Sequence, residues 1–225
     1  MRTLFIRIDP RNPDPGIIVQ AAAAVKKGGV IVFPTETVYG LGAAAGRPEA
    51  VRRIYRIKGR PEEKPLVRLV AGWEEMEKVR WDKEHRKLAE RFWPGPLTLI
   101  LPLAGGGTQG FRFPDHDLTR RLVRAAGVPF AATSANRSGE AEVKNGEEAE
   151  RIFFGEVDLI LDAGEVGGQA STVLDLAVSP PRLLREGPIS RKEIEKVLGR
   201  SIINCCERDA SHPVRNNLDF KLSGG

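Results

Sequence analysis

Cysteine, histidine, methionine and tyrosine are all scarce in this chain: 225 residues include two cysteines, three histidines, two methionines and two tyrosines. Cys205 and Cys206 are adjacent and near the C-terminal end, so they offer neither the spaced ligands of a zinc site nor a disulfide framework. The histidines stand apart at positions 85, 116 and 212, which excludes a histidine cluster for a transition metal. No apolar run approaches the roughly 20 residues that span a bilayer. Met1 to Pro10 breaks its apolar stretch with Arg2 and Arg7 and lacks a signal-peptide core, so a cytoplasmic protein with no membrane partner is expected. Three familiar signatures are also missing. There is no G-x-x-x-x-G-K-[ST] loop, no G-x-G-x-x-G after a strand and no defensible Ser/His/Asp arrangement, so neither a standard phosphate loop nor a triad hydrolase is indicated.

What remains has a soluble globular composition, 41% hydrophobic and 29% charged. The net charge of +5 is concentrated: between Arg47 and Lys64 seven basic residues face three acidic ones. Such a stretch suits a polyanion, either a nucleic acid or a nucleoside triphosphate, or else forms a solvated helix face.

Residues 29 to 42 hold the densest information. Val30 to Phe33 read as a strand buried on both faces, because four consecutive β-formers leave no polar alternation. Pro34 ends its ladder. Thr35, Glu36, Thr37 and Tyr39 follow as polar candidates, with Gly40 and Gly42 placed to let backbone approach a ligand. Helices are expected at Ile17 to Lys27, Pro48 to Ile57, Trp73 to Val79, Lys83 to Phe92, Asp117 to Ala126, Glu147 to Phe154 and Glu193 to Leu198, the last behind a Ser190-to-Glu193 capping box. Strands are expected at Leu66 to Val70, Leu97 to Leu103, Val128 to Ala132, Asp158 to Leu161, Thr172 to Leu176 and Leu183 to Arg185. Phe111-Arg112-Phe113 reads as a strand edge. This alternation predicts one α/β domain over residues 1–199, followed by a polar, disordered tail at 200–225.

Four polar segments sit at strand or helix ends. Thr35 to Tyr39 is the first. Lys58-Gly59-Arg60 places two cations at a helix end, as a phosphate clamp or as ordinary C-terminal charge. Arg112, flanked by two Phe, is a candidate for bidentate capture of a carboxylate. Thr133 to Asn136 could bind a ligand or cap a turn. His116 reads as a turn cap rather than a base. A site of this kind acts by positioning and charge neutralisation, not through a protein nucleophile.

Six motifs, in order, resemble the YrdC family of threonylcarbamoyl-AMP synthases: Phe33 to Gly42, Ile54 to Pro61, Trp93 to Thr98, Thr133 to Gly139, Ser171 to Val173 and Leu184 to Gly187. The resemblance spans nearly all of residues 15–198 and points to the short form of the family. It implies an α/β fold with a twisted mixed sheet, flanked by helices, around a positively charged central cavity. It further implies that L-threonine, bicarbonate and ATP, with Mg²⁺ bound to the ATP, give threonylcarbamoyl-AMP and pyrophosphate for tRNA modification. By motif, Lys58 and Arg60 would carry catalysis and hold ATP phosphates, with Lys64, Thr108, Asn136 and Arg185 also on the nucleotide. Thr35, Arg112, Ser134 and Ser171 would hold threonine. Leu69 stands where the family has a histidine. The alternatives are an RNA-binding module without turnover and a related module forming a carbamoyl adenylate.

Overall fold

A computed structural model describes residues 2–205. Its framework is an eleven-stranded mixed sheet. The strands are β1 (Leu4–Arg7), β2 (Ile31–Phe33), β3 (Gly40–Ala44), β4 (Val67–Leu69), β5 (Leu97–Pro102), β6 (Thr108–Arg112), β7 (Phe130–Ser134), β8 (Leu159–Asp162), β9 (Thr172–Asp175), β10 (Arg182–Arg185) and β11 (Ile203–Asn204). Their order across the sheet is β1-β8-β2-β3-β7-β4-β6-β5-β9-β10-β11. The helices are α1 (Pro15–Lys26), α2 (Pro48–Lys58), α3 (Lys83–Phe92), α4 (Asp117–Ala126), α5 (Gly146–Phe153) and α6 (Arg191–Leu198).

Local chemistry sets the helix ends. Asp14 accepts from the Gly16 and Ile17 N–H groups to open α1. His116 accepts from the Thr119 N–H to open α4, the capping role expected of it. Ser190 and Glu193 form the expected capping box of α6. Gly59 closes α2 in the left-handed region at φ 60°, which turns the chain away one residue before Arg60.

Three apolar clusters hold the layers. Helices α1 and α4 pack Ile18, Val25 and Leu122 against Phe33 and Phe130. On the opposite side, α2 and α5 bring Ile54 and Phe153 to Leu41 and Ile160. Helices α3 and α6 place Leu88, Phe92 and Ile194 on Leu97, Leu99, Phe111 and Leu174. Because side chains alternate along a strand, the residues between those last four face the other way. Thr98, Ile100, Gly110, Arg112, Val173 and Asp175 therefore line a cavity instead of a core.

The structure corrects several expectations. Trp73 to Val79 is not a full helix: only Trp73–Met76 forms a 3₁₀ turn, because Val79 bridges Leu103 and the Arg80 N–H bonds to the Pro102 carbonyl, drawing the chain toward β5. Arg112 is not on a strand edge, since β6 lies between β4 and β5. Gly40 and Gly42 belong to β3, where a Cβ would meet the Phe33 ring at 2.6 Å and the Phe130 ring at 2.5 Å respectively. Both glycines make room for core aromatics, although Gly40 also lines the cavity. The fold continues past residue 199: Ile202 is buried, its carbonyl accepts from Arg191 at 2.6 Å, and β11 runs parallel to β10. The rest of the expected tail, 206–225, lies outside the described residues.

Candidate active site

The cavity has a volume of about 470 Å³, within the ~300–1,000 Å³ usual for small-molecule sites. Four cations, Arg60, Lys64, Arg112 and Arg185, reach its lining against two carboxylates, Glu63 and Asp175. Thr35, Thr108, Ser134 and Ser171 line it as well. The fold thus brings these eight sequence-named residues to one space, with Tyr39, Gly40 and Thr133 also on its lining.

Arg112 organises one end. Its Nη2 donates to the Thr37 hydroxyl at 2.6 Å and lies 3.0 Å from a Glu36 carboxylate oxygen. Its buried Nε has no acceptor among the described residues. The Thr37 hydroxyl lies 2.9 Å from that of Thr35, which donates to the Val38 carbonyl at 2.6 Å. With its proton given to Val38, the Thr35 oxygen accepts from the Thr37 hydroxyl and, at 3.2 Å, from the Thr37 N–H. Across the floor, the Thr98 and Ser171 hydroxyls are 2.9 Å apart. Arg185 fixes Ser171 through bonds to its carbonyl at 2.9 Å and its hydroxyl at 3.3 Å.

Lys58 and Asn136 do not line the cavity; they build its wall. The Lys58 ammonium donates to the Ser134 carbonyl at 2.6 Å and to the Asn136 carbonyl and side-chain oxygen at 2.8 Å each. All three of its protons are committed. Asn136 is equally saturated: its oxygen also accepts from Ser134 Oγ at 2.7 Å, and its amide donates to the Arg137 and Glu140 carbonyls. Burial, with Arg60 as a like charge, lowers the Lys58 pKa to about 8, against an opposing pull from Glu142. Here Lys58 holds the Ser134–Asn136 turn and does not reach outward.

Arg60 and Lys64 occupy the rim. Arg60 Nε donates to the Lys64 carbonyl at 2.9 Å, fastening the loop that carries Lys64. Burial lowers the pKa of both Arg60 and Arg185, and Arg112 and Arg60 add like charge at Arg185. Part of the basic stretch is paired within the chain, while Arg47, Arg52 and Arg56 remain exposed. Arg53 pairs with Asp158 at 2.6 Å, Arg52 pairs with Glu49 and Arg47 bonds to the Lys26 carbonyl.

Sequence reasoning missed Thr98 and Asp175, and it did not pair Thr37 and Glu36 with Arg112. Thr98 carried a signal, being polar between Leu97 and Leu99 in an otherwise apolar strand. Tyr39, expected among the polar candidates, is fully buried. Its hydroxyl donates to the Gly164 carbonyl at 2.7 Å and accepts from the Ala163 N–H at 3.0 Å, tying β3 to the segment before Ser171. Burial pushes its phenol well above the ordinary value.

The family profile described as "Telomere recombination", covering Sua5, YciO and YrdC, matches residues 23–187. The chain belongs to the Sua5/YciO/YrdC family. Among curated members it is 42% identical over 88% of its length to "Threonylcarbamoyl-AMP synthase" of Pyrococcus abyssi, covering 61% of that protein. It is 43% identical over 81% of its length to the protein of the same name from Bacillus subtilis, covering 56% of it. The solved structure "P. abyssi Sua5 complexed with L-threonine" superposes with a TM-score of 0.84 at 39% identity, over 89% of this chain and 62% of that one. This family member therefore spans about three-fifths of the length of these relatives. The expected twisted mixed sheet flanked by helices is the fold it shares with them.

Proposed function

We propose that this chain is an L-threonylcarbamoyladenylate synthase: L-threonine, bicarbonate and ATP are joined with loss of pyrophosphate and water, and the product is passed on for modification of tRNA. The observation that carries the reading is one cavity combining two chemistries. A buried Arg112 with an unpartnered Nε stands at a hydroxyl-lined end, and Arg60, Lys64 and Arg185 gather in the same space.

In this reading Arg112 takes the threonine carboxylate, a planar anion matched to a guanidinium fork. Thr35, Ser134 and Ser171, which line the same cavity, orient its amine and side chain. The uncharged amine adds to CO₂ or bicarbonate, and a carbamate oxygen then displaces pyrophosphate from the α-phosphorus. The chain's work is alignment and charge neutralisation. ATP carries roughly four negative charges, which Arg60, Lys64 and Arg185 offset in part. These three cations also repel one another, and an anionic ligand relieves that repulsion. Thr108 at the start of β6 completes the nucleotide side. Among the described residues no group of three or more His, Cys, Asp or Glu side chains is arranged to hold a metal, so Mg²⁺ is proposed to arrive on the ATP phosphates and supply charge neutralisation there. Lys58 and Asn136 serve by holding the Ser134 wall.

The test is incorporation of labelled bicarbonate. With ATP, Mg²⁺ and L-threonine, label should enter a nucleotide whose mass equals AMP plus threonylcarbamate less water. A labelled product that forms without threonine, or none with all substrates present, overturns the reading.

A further inference from the structure

Asp175 is a carboxylate on the floor of a cavity otherwise furnished for anions. The strand register fixes its place. It pairs with Ile100 of β5, which pairs in turn with Gly110 of β6. Arg112 and Thr98 form the neighbouring level, together with Val173. Asp175 therefore stands two strands across from Arg112 and two residues further along, roughly 12 Å away by ordinary strand spacings. Arg185 pairs with Val173, so it belongs with the Arg112 level.

The cavity lining at and around these two levels is largely apolar, with Ile100, Val173, Val67 and Leu184, and Gly110 presents only backbone. Apolar lining of this kind suits a flat ring. Asp175 is the carboxylate beside it, level with Ile100 and Gly110. Its Oδ1 accepts from the Ala177 N–H at 2.9 Å, and this is its only hydrogen bond among the described residues. Burial raises its pKa, tempered by that bond and by Arg182 across the β9–β10 ladder. An ionised carboxylate is an acceptor only, and it repels phosphate oxygens.

We infer that Asp175 is a specificity-determining residue at the nucleoside end of the cavity, accepting a hydrogen bond from an N–H or O–H donor of the nucleoside and turning the triphosphate toward Arg60, Lys64 and Arg185. The inference rests on the nucleotide reading above. Two donor sources share this chemistry: the exocyclic amine of the base and the ribose hydroxyls.

Titration calorimetry of the full chain, with Mg²⁺ and L-threonine present, separates them. The ligands are ATP, purine riboside triphosphate, 2′-deoxy-ATP and 3′-deoxy-ATP. The wild type should bind at least one of the three analogues about tenfold more weakly than ATP, and the analogue that suffers identifies the donor. In Asp175→Ala that same penalty should shrink to less than about twofold. Asp175→Asn preserves shape and the acceptor for Ala177, so it reports on charge even where the alanine variant is poorly folded; it should reduce the penalty as well. An analogue penalty that persists unchanged in both variants, or a wild type that binds ATP and every analogue alike, overturns the Asp175 assignment alone. A wild type that binds no ATP overturns the nucleotide reading and the Asp175 assignment with it.

Discussion

Arg112 and Lys58 are both buried cations near the cavity, yet their donors are spent differently. Arg112 keeps an unpartnered Nε beside its hydrogen bond to Thr37 and its ion pair with Glu36, while Lys58 has given all three protons to the Ser134–Asn136 turn. Arg112→Lys keeps the charge and loses the fork. Threonine affinity by calorimetry should fall about tenfold or more, since hydrogen bonds to charged groups contribute about 1.5–3 kcal/mol, with ATP affinity changed less than about twofold. An equal loss for both ligands would remove Arg112 from the threonine subsite. Lys58→Met should instead destabilise the fold by about 1–3 kcal/mol in urea unfolding, because the oxygens around it lose their donor. The Lys58 pKa also makes a signed prediction. Its native value is about 8, lowered from 10.5, so between those pH values the unfolded chain holds this proton more tightly than the folded one. Stability then rises with pH as the cost of the buried charge is relieved. The wild-type minus Lys58→Met difference in unfolding free energy should grow from pH 8 to 10.5; a flat or falling difference contradicts the lowered pKa.

At the scale of elements, β2 and β3 show how glycine spacing serves packing. Gly42 faces Phe130 with no space for a methyl, whereas Gly46 meets nothing within 4 Å and has no positive φ. Gly42→Ala should therefore cost about 1–3 kcal/mol by overpacking, and Gly46→Ala should stay within about 0.5 kcal/mol; similar melting temperatures for the two would contradict the register of β2 and β3. The same pair of strands marks what could be read from sequence. Val30 to Phe33 was legible because a short all-β-former run bounded by Gly29 and Pro34 has few other solutions. Gly40 to Ala44 was not, since two glycines and two alanines carry no strand propensity and pair only because Phe33 and Phe130 need their space. Helices α3 and α4 were legible to the residue because caps and amphipathic spacing coincide at their ends. Arg112 was found as a candidate but assigned to an edge, since alternation in one strand says nothing about how many neighbours that strand has. Lys58 illustrates the same limit: a motif places a cation near phosphate chemistry, but only the fold shows where its protons go.

For the whole molecule, a single sheet separates structure from chemistry. One face of β6-β5-β9 packs on α3 and α6, and the alternate residues of the same strands line the cavity. The like charges of Arg112 and Arg60 stand close enough to lower the pKa of Arg185, so an anionic ligand should stabilise the fold. Pyrophosphate at about 100 times its dissociation constant is worth about 2.7 kcal/mol, a rise of roughly 5–10 °C in melting temperature for a domain of this size; sulfate at equal ionic strength should do much less, and an equal shift with both would point to general screening. The central claim, that this cavity couples threonine and bicarbonate to adenylate transfer, meets its most direct test in pyrophosphate release from purified protein. With ATP, Mg²⁺, L-threonine and bicarbonate present, release should be sustained, and it should fall to background when either threonine or bicarbonate is omitted. Release that continues at the same rate without one of them would contradict the account.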